Sequence, residues 1–380
     1  MIKGIKIRLY PTKEQEELMW KHVHASRFIY NYMLALQNER YNNGEKHLSA
    51  FDMNKLLTPM KRSGEYGWLN EVSSVMLQRS CADLAVAFAR FFKKISKHPK
   101  FKSRKRSKYS FPVHCERNAL YFDVNYVMIQ KIGHVRYKTD FNISQSRDVK
   151  FSNARISYRN GKWMLSFGVE CENQAPRLND YSMGIDLGVK DLATVAYGDK
   201  NLVFHNINKS HRVRTIKRNI RLLQGRISRK YEQNKQGSKF VKTRNIERCE
   251  EKLRRMHERL SNIRNNYIHQ CTHKLVSLLP KKVVMEDLNV QGMMKNRHLS
   301  KAVAEQCMYE FIRQMRYKCE WSGIEFVQVD RFFPSSKTCS SCGAVKKNLK
   351  LSDRTYVCNE CGITLDRDLN SAINLMCHEG

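Results

Sequence analysis

Four cysteines near the end of the chain have the spacing of a metal clip. Cys339 and Cys342 form one CxxC pair, Cys358 and Cys361 a second, and fifteen residues lie between the pairs. Each pair puts two thiolates on a tight knuckle, with Gly343 and Gly362 directly after its second cysteine, so four thiolates can close a tetrahedral shell around one Zn²⁺. With no coordination position left open, that ion is expected to be structural. Two disulfides or a redox pair are the competing readings; a reducing compartment and the clip-like spacing weigh against both. The other eight cysteines, among them Cys81, Cys249 and Cys377, lack this spacing and are expected as small buried hydrophobes.

A few residues beyond the clip, the triplet Asp366, Arg367, Asp368 opens an apolar, helix-like segment. Two more acids stand at the ends of apolar runs. In MGIDLGV, strand alternation puts Met183, Ile185 and Leu187 on one face and Gly184, Asp186 and Gly188 on the other. Glycines on both sides of Asp186 are expected to leave room for a metal ion and a phosphate backbone. Glu286 ends the apolar run VVME. Each acid has a plain alternative: Asp186 capping a turn, Glu286 pairing with a lysine, Asp366 or Asp368 capping a helix. Taken together, Asp186, Glu286 and Asp368 could converge from two strands and a helix to hold two Mg²⁺ ions roughly 4 Å apart, one activating water and one stabilising a leaving oxygen of a phosphodiester. Asp368, at the start of the final helix where an N-terminus favours negative charge, is preferred as the ligand, with Asp366 as the N-cap.

The charge balance points to the same substrate class. Lys and Arg number 69 against 36 Asp and Glu, a formal net charge of +33 in 380 residues. A field of that size calls for a polyanion, and nucleic acid releases counterions when Lys and Arg neutralise it. A polybasic membrane binder would need an amphipathic anchor or lipidation motif, and none is evident. No run of about eighteen apolar residues occurs, and the opening MIKGIKIRLYPTKEQ lacks the apolar stretch of a secretory signal. A cytoplasmic location is expected, with no membrane partner.

The elements that must hold these groups follow from periodicity. IKGIKIRLYP alternates and stops at Pro11, a short strand; Thr12 with Gln15 fits a capping box, and Leu18, Met19, Val23, Phe28, Ile29, Tyr32 and Met33 recur at helical spacing. Helical patterning continues to about residue 95. The basic stretch KKISKHPKFKSRKRSK, residues 93 to 108, predicts a phosphate-gripping strap with Phe101 and Tyr109 as stacking faces, or a plain hinge. Alternating runs between 110 and 173 predict a small β barrel into which the helical unit is inserted. From Ser182 a three-strand antiparallel meander is expected. Then comes a helical hairpin: Ile246, Cys249, Leu253, Met256, Leu260, Ile263 and Tyr267 form a stripe facing a shorter helix from Ile216 to Ile227, across a turn near Gly237. The strand KKVVMEDLNV, one helix over AEQCMYEFIRQMRYKCEW and the strand IEFVQVD lead into the clip.

At these residues the chain resembles the TnpB family, RNA-guided endonucleases encoded by insertion sequences and related to the compact type V CRISPR effectors. The resemblance covers nearly the whole chain: IKIRLYPTKEQ, FKSRKRSKYSF, GIDLGVKDLATVA, VVMEDLNVQGM, RFFPSSKTCSSCG, YVCNECG and LDRDLNSAINL stand in the family's order. It implies a multidomain α+β fold with an RNase H-like (RuvC) nuclease, residues 181–334 and 366–380, carrying a helical insertion at about 208–280. A zinc ribbon would span 335–365, a wedge-like β barrel 1–11 and 96–180, and a helical recognition unit 12–95. Asp186, Glu286 and Asp368 would be the catalytic, Mg²⁺-binding triad, and Cys339, Cys342, Cys358 and Cys361 the Zn²⁺ ligands. Implied partners are a guide RNA from the transposon end and a double-stranded DNA target cut beside a short flanking motif, with a monomeric protein in a ribonucleoprotein. A nuclease-inactive, RNA-guided DNA-binding repressor of the same ancestry is the alternative, and the intact acids argue against it. A transposase using a covalent tyrosine ranks below both. Ser371 departs from the family, which usually has Ala there.

Overall fold

The computed structural model describes residues 2–104, 107–116, 118–139, 150–171, 176–346, 348–349 and 353–378. Positions 105–106 of the strap, 117, 140–149 and 172–175 of the expected barrel region, 347 and 350–352 of the ribbon, and 379–380 lie outside the described residues. The chain divides into two compact units, Met1–Glu172 and Asn173–Gly380.

In the first unit, β1 (Ile2–Tyr10) runs into α1 (Lys13–Asn42) through the reciprocal Thr12 and Gln15 capping box. Two more helices follow, α2 (Ala50–Arg62) and α3 (Ser74–Phe92). The remaining strands are β2 (Tyr109–Pro112), β3 (Leu120–Phe122), β4 (Tyr126–Ile129), β5 (Gly133–Lys138), β6 (Phe151–Arg159) and β7 (Lys162–Glu170). They form one sheet with β1 in the order β2-β6-β7-β1-β5-β4-β3. Because β1 pairs antiparallel with both β7 and β5, the helices interrupt the sequence of the sheet and not the sheet itself. One apolar cluster joins Met19, Ile29 and Met33 of α1 and Leu77 and Leu84 of α3 to Ile7, Val135 and Leu165 of the strands.

The second unit opens with β8 (Asn179–Leu187), so the expected boundary at 180/181 falls inside a strand. An antiparallel meander follows, β9 (Asp191–Tyr197) and β10 (Lys200–His205). The helical hairpin is α4 (His211–Gln233) and α5 (Arg244–Val276), joined by the two-residue strands β11 (Lys235–Gln236) and β12 (Lys239–Phe240) with Gly237 at φ +59° between them. Val213, Ile216 and Ile220 of α4 pack on Leu253, Met256, Leu260 and Ile263 of α5, the stripe read from the spacing. Six arginines of α4, Arg212, Arg214, Arg218, Arg221, Arg226 and Arg229, remain exposed.

Next come β13 (Pro280–Glu286), the short α6 (Val290–Lys295), α7 (Ser300–Gln306), α8 (Met308–Ser322) and β14 (Glu325–Val329). The single helix expected over AEQCMYEFIRQMRYKCEW is therefore two. Cys307 takes a left-handed conformation, φ +54°, which ends one helix and starts the other. The break lets Gln306 turn its amide onto the carbonyls of Gly188 and Val189, at 3.2 and 3.1 Å. The ribbon contributes β15 (Thr355–Val357) and β16 (Thr364–Asp366), and α9 (Arg367–Met376) closes the chain. The main sheet has the order β10-β9-β8-β13-β14, with β13 parallel to both neighbours. Among the described residues, no helix is long and apolar enough to cross a membrane.

Candidate active site

β8 and β13 run side by side with Ile185 opposite Met285, and the next residue on each strand is an acid, Asp186 and Glu286. The third acid comes from α9, which lies on this sheet. A Cβ added at Gly184 would stand 2.0 Å from the Ala372 carbonyl oxygen and 2.4 Å from the Met376 nitrogen. Gly184 is thus filled by the backbone of α9, correcting the expectation that it leaves room for a metal or phosphate. Its function is close approach, and that approach brings Asp368, one turn before Ala372, to the acidic end of β8.

The electrostatics record the meeting. Burial pushes the Asp186 carboxyl well above the usual carboxylate range, and the charges of Glu286 and Asp368 push it further, against Arg367 and a hydrogen bond from Ser371. Burial also raises Glu286, opposed by its hydrogen bond with Ser335. Arg367 Nη2 lies 3.3 Å from Asp368 Oδ1. Neighbouring acids are engaged elsewhere: Asp287 pairs with Arg331 at 2.7 Å, and Asp366 caps α9, accepting from the N–H groups of Asp368 (2.9 Å) and Leu369 (3.3 Å). One cation beside three acids leaves negative charge for a divalent ion to neutralise. Among the described residues, the three acids do not gather as closely as the clip cysteines, whose ligand atoms all lie within 4.8 Å of one another.

Among the described residues, the four cysteines are the one group of three or more His, Cys, Asp or Glu side chains whose ligand atoms all lie within 4.8 Å of one another. Cys339 and Cys361 sulfurs are 3.6 Å apart, as are those of Cys342 and Cys358. A tetrahedron with Zn–S bonds near 2.3 Å has edges of roughly 3.8 Å, so the cage fits zinc. The knuckle N–H groups of Cys361 and Glu360 hold the Cys358 thiol below its usual value, at about 6. Gly343 and Gly362 sit at φ +76° and +71°, the left-handed knuckle positions. Of the remaining cysteines Cys81 is buried, but Cys249 is only partly so and Cys377, at the C-cap of α9, is exposed, against the expectation.

Clip and acids are joined through α9. Asn370 accepts from the N–H of Ser340 (2.9 Å) and donates to the Thr338 carbonyl (2.7 Å); Asn374 donates to the carbonyls of Ser335 and Thr338, both at 2.7 Å. Reading the sequence missed these asparagines, together with Ser335, Ser371 and Arg367. The available signal was polar residues at 370, 371 and 374, on a helix whose other inward positions, Ala372 and Leu375, are apolar and buried.

In the first unit the strap is built differently from its expectation. Phe101 is exposed, but Tyr109 packs edge-on against Trp20 at 5.3 Å and donates to the Arg104 carbonyl at 2.8 Å, so its ring is not a free platform. Lys102 lies 3.6 Å over the Tyr30 ring, and burial lowers its pKa to about 8. With Arg27 and Lys108 it lines a cavity of about 340 Å³.

The architecture is that of a compact multidomain α+β protein of the type V kind. It is similar, over 99% of this chain and 98% of the other, to Cas12f1 as seen in a cryo-EM structure of a Cas12f1, sgRNA and target DNA complex, with 12% identity and a TM-score of 0.59. Three family models match: "Probable transposase" over residues 166–297, "Cas12f1-like, TNB domain" over 309–375, and "Helix-turn-helix domain" over 1–46, where the structure has one strand and an unbroken 30-residue helix. A protein of Streptomyces pristinaespiralis named "Putative RNA-guided DNA endonuclease" is 31% identical over 98% of this chain and 88% of its own length. Another, InsQ of Escherichia coli K12, named likewise, is 30% identical over 99% and 92%. The chain belongs to the TnpB family.

Proposed function

We propose that the chain is an RNA-guided DNA endonuclease encoded by an insertion sequence, with Asp186, Glu286 and Asp368 as the residues that hold two Mg²⁺ ions. The observation that carries this is the convergence of three acids, with Asp186 pushed up by burial and by the other two, inside a chain of net charge +33. Divalent ions held there would supply an activated water and charge stabilisation for a leaving phosphodiester oxygen. Asp186 and Glu286, from adjacent strands, and Asp368, from the first turn of α9, would hold the ions, and Arg367 limits the remaining charge. The mixed sheet, a meander extended by two parallel strands, supports an RNase H-like nuclease over 181–334 and 366–380, with the ribbon at 335–365 held by one structural Zn²⁺.

The seven-stranded sheet of the first unit, with its inserted helices, is read as the wedge-like and helical recognition part, and Arg27 of α1 with Lys102 and Lys108 of the strap are offered to phosphates. Guide RNA from the transposon end would select the DNA by pairing, beside a short flanking motif, while the exposed arginines of α4 grip backbone. The working form is one protein chain in a cytoplasmic ribonucleoprotein.

The test is to purify the protein with transcripts of its own locus and offer duplex DNA carrying a guide match, with Mg²⁺ or with EDTA. The parent should cut only with Mg²⁺, and Asp186→Ala should cut at least about 10³-fold more slowly, some 4 kcal/mol of barrier, while retaining RNA. Equal cutting by Asp186→Ala would remove the assignment. A parent that binds guide and target in Mg²⁺ but never cuts would put the repressor reading in its place.

A further inference from the structure

Between the two strand acids lies a pair of buried hydroxyls. The Ser335 hydroxyl donates to Glu286 Oε1, the Ser371 hydroxyl donates to that of Ser335 at 3.0 Å, and the Ser371 oxygen lies within hydrogen-bonding reach of Asp186. Both serines are 1% exposed. We propose that Ser335 and Ser371 form a hydroxyl bridge that sets the orientation of the Glu286 and Asp186 carboxylates for divalent cations. They are positioning residues, and the inference rests on the carboxylate site proposed above.

Two features separate this from ordinary packing. The main chain of Ser335 is already held, its N–H by the Phe333 carbonyl at 2.8 Å and its carbonyl by Asn374 at 2.7 Å, so the loop does not need the hydroxyl. The hydroxyl is spent on Glu286 instead. Ser371 stands between Asn370, which serves the ribbon, and Ala372, whose carbonyl faces Gly184, and it is the residue of that buried trio that turns to the acids. A buried hydroxyl costs free energy unless bonded, and here each finds its partner in the bridge and an acid. Partners that orient metal ligands commonly matter about 10–100-fold in metal affinity. Ser335 is also four residues before Cys339, so one loop carries both a clip ligand and the support of Glu286.

The experiment measures Mn²⁺ binding to the full-length protein with its co-purified RNA, by electron paramagnetic resonance of the free ion, alongside Tm. Ser335→Ala and Ser371→Ala should each weaken binding about tenfold or more, with zinc content unchanged, and Ser371→Thr, which keeps a hydroxyl, should recover most of it. Binding equal to the parent in both alanine variants would overturn the proposal. If an alanine variant melts before it can be titrated, Ser371→Thr decides: Mn²⁺ binding near the parent's supports the bridge, and a tenfold loss despite the retained hydroxyl overturns it. Asp186→Ala is the control. Should it bind Mn²⁺ as well as the parent, the carboxylate site itself is wrong; should it lose binding while the serine variants do not, the serine bridge alone falls.

Discussion

The four-thiolate clip and the three-carboxylate cluster proposed to hold divalent cations are assembled by the chain along opposite routes. The clip takes all its ligands from residues 339 to 361, on two knuckles shaped by local glycines, with sulfurs 3.6 Å apart. The cluster draws its acids from residues 186, 286 and 368, on elements whose meeting depends on strand register and on one helix lying flat against Gly184. A closed soft cage binds tightly and finishes folding; an open set of hard oxygens leaves space for water and substrate. The difference teaches that the tightest cage needs the least tertiary structure to assemble it.

That contrast can be broken. Stripping zinc with a strong chelator, or making Cys358→Ser, is expected to unfold the ribbon at a cost on the order of 10 kcal/mol. Hydrogen exchange across 339–361 reads the effect, and metal analysis should find one zinc per parent chain. Removing Mg²⁺ should leave those amides protected, and equal opening by both treatments would erase the distinction. A smaller effect is expected at Gly184→Ala, where the new methyl meets the Ala372 carbonyl. Overpacking of this kind costs about 1–3 kcal/mol, visible as a lowered Tm, and cleavage should fall while zinc stays; a variant as stable and active as the parent would show that α9 does not need that contact.

Asn370→Ala strands the Ser340 N–H, while the Thr338 carbonyl keeps its bond from Asn374, and a loss of about 1–3 kcal/mol is expected from unfolding curves. The smallest change concerns pH. Asp186 has its folded pKa raised, so without divalent ions the protein should lose stability as pH rises from the ordinary carboxylate value to the raised one. Asp186→Asn, or added Mg²⁺, should flatten that slope in Tm against pH. A rising slope would contradict the crowding of acids.

Legibility in the sequence follows the same divide. CxxC spacing and the following glycines fix the clip geometry locally, and the α5 stripe and the Thr12 capping box are equally local. The acids could be singled out by type and by their place at strand ends, but nothing in the spacing of residues 186 and 286 fixes which strands lie side by side. Gly184 was visible as special and misread, because a glycine that admits a ligand and one that admits a helix look alike in sequence. Cys307 carries no Gly or Pro signal, so the break between α7 and α8 was invisible; the gain, Gln306 anchored on Gly188 and Val189, is tertiary. Two serines in PSSKTC gave no hint which would reach Glu286.

Asp366 is at once the last residue of β16 and the N-cap of α9, and the N–H of Arg367 donates to the Arg354 carbonyl at 2.9 Å. The junction therefore has no slack and sets the rotational phase of the final helix. One residue added between Cys361 and Asp368 would turn Asp368 by about 100° around the helix axis, carrying it off the sheet. The short bridge between ribbon and final helix keeps time for the acidic cluster like the fixed tooth of a gear.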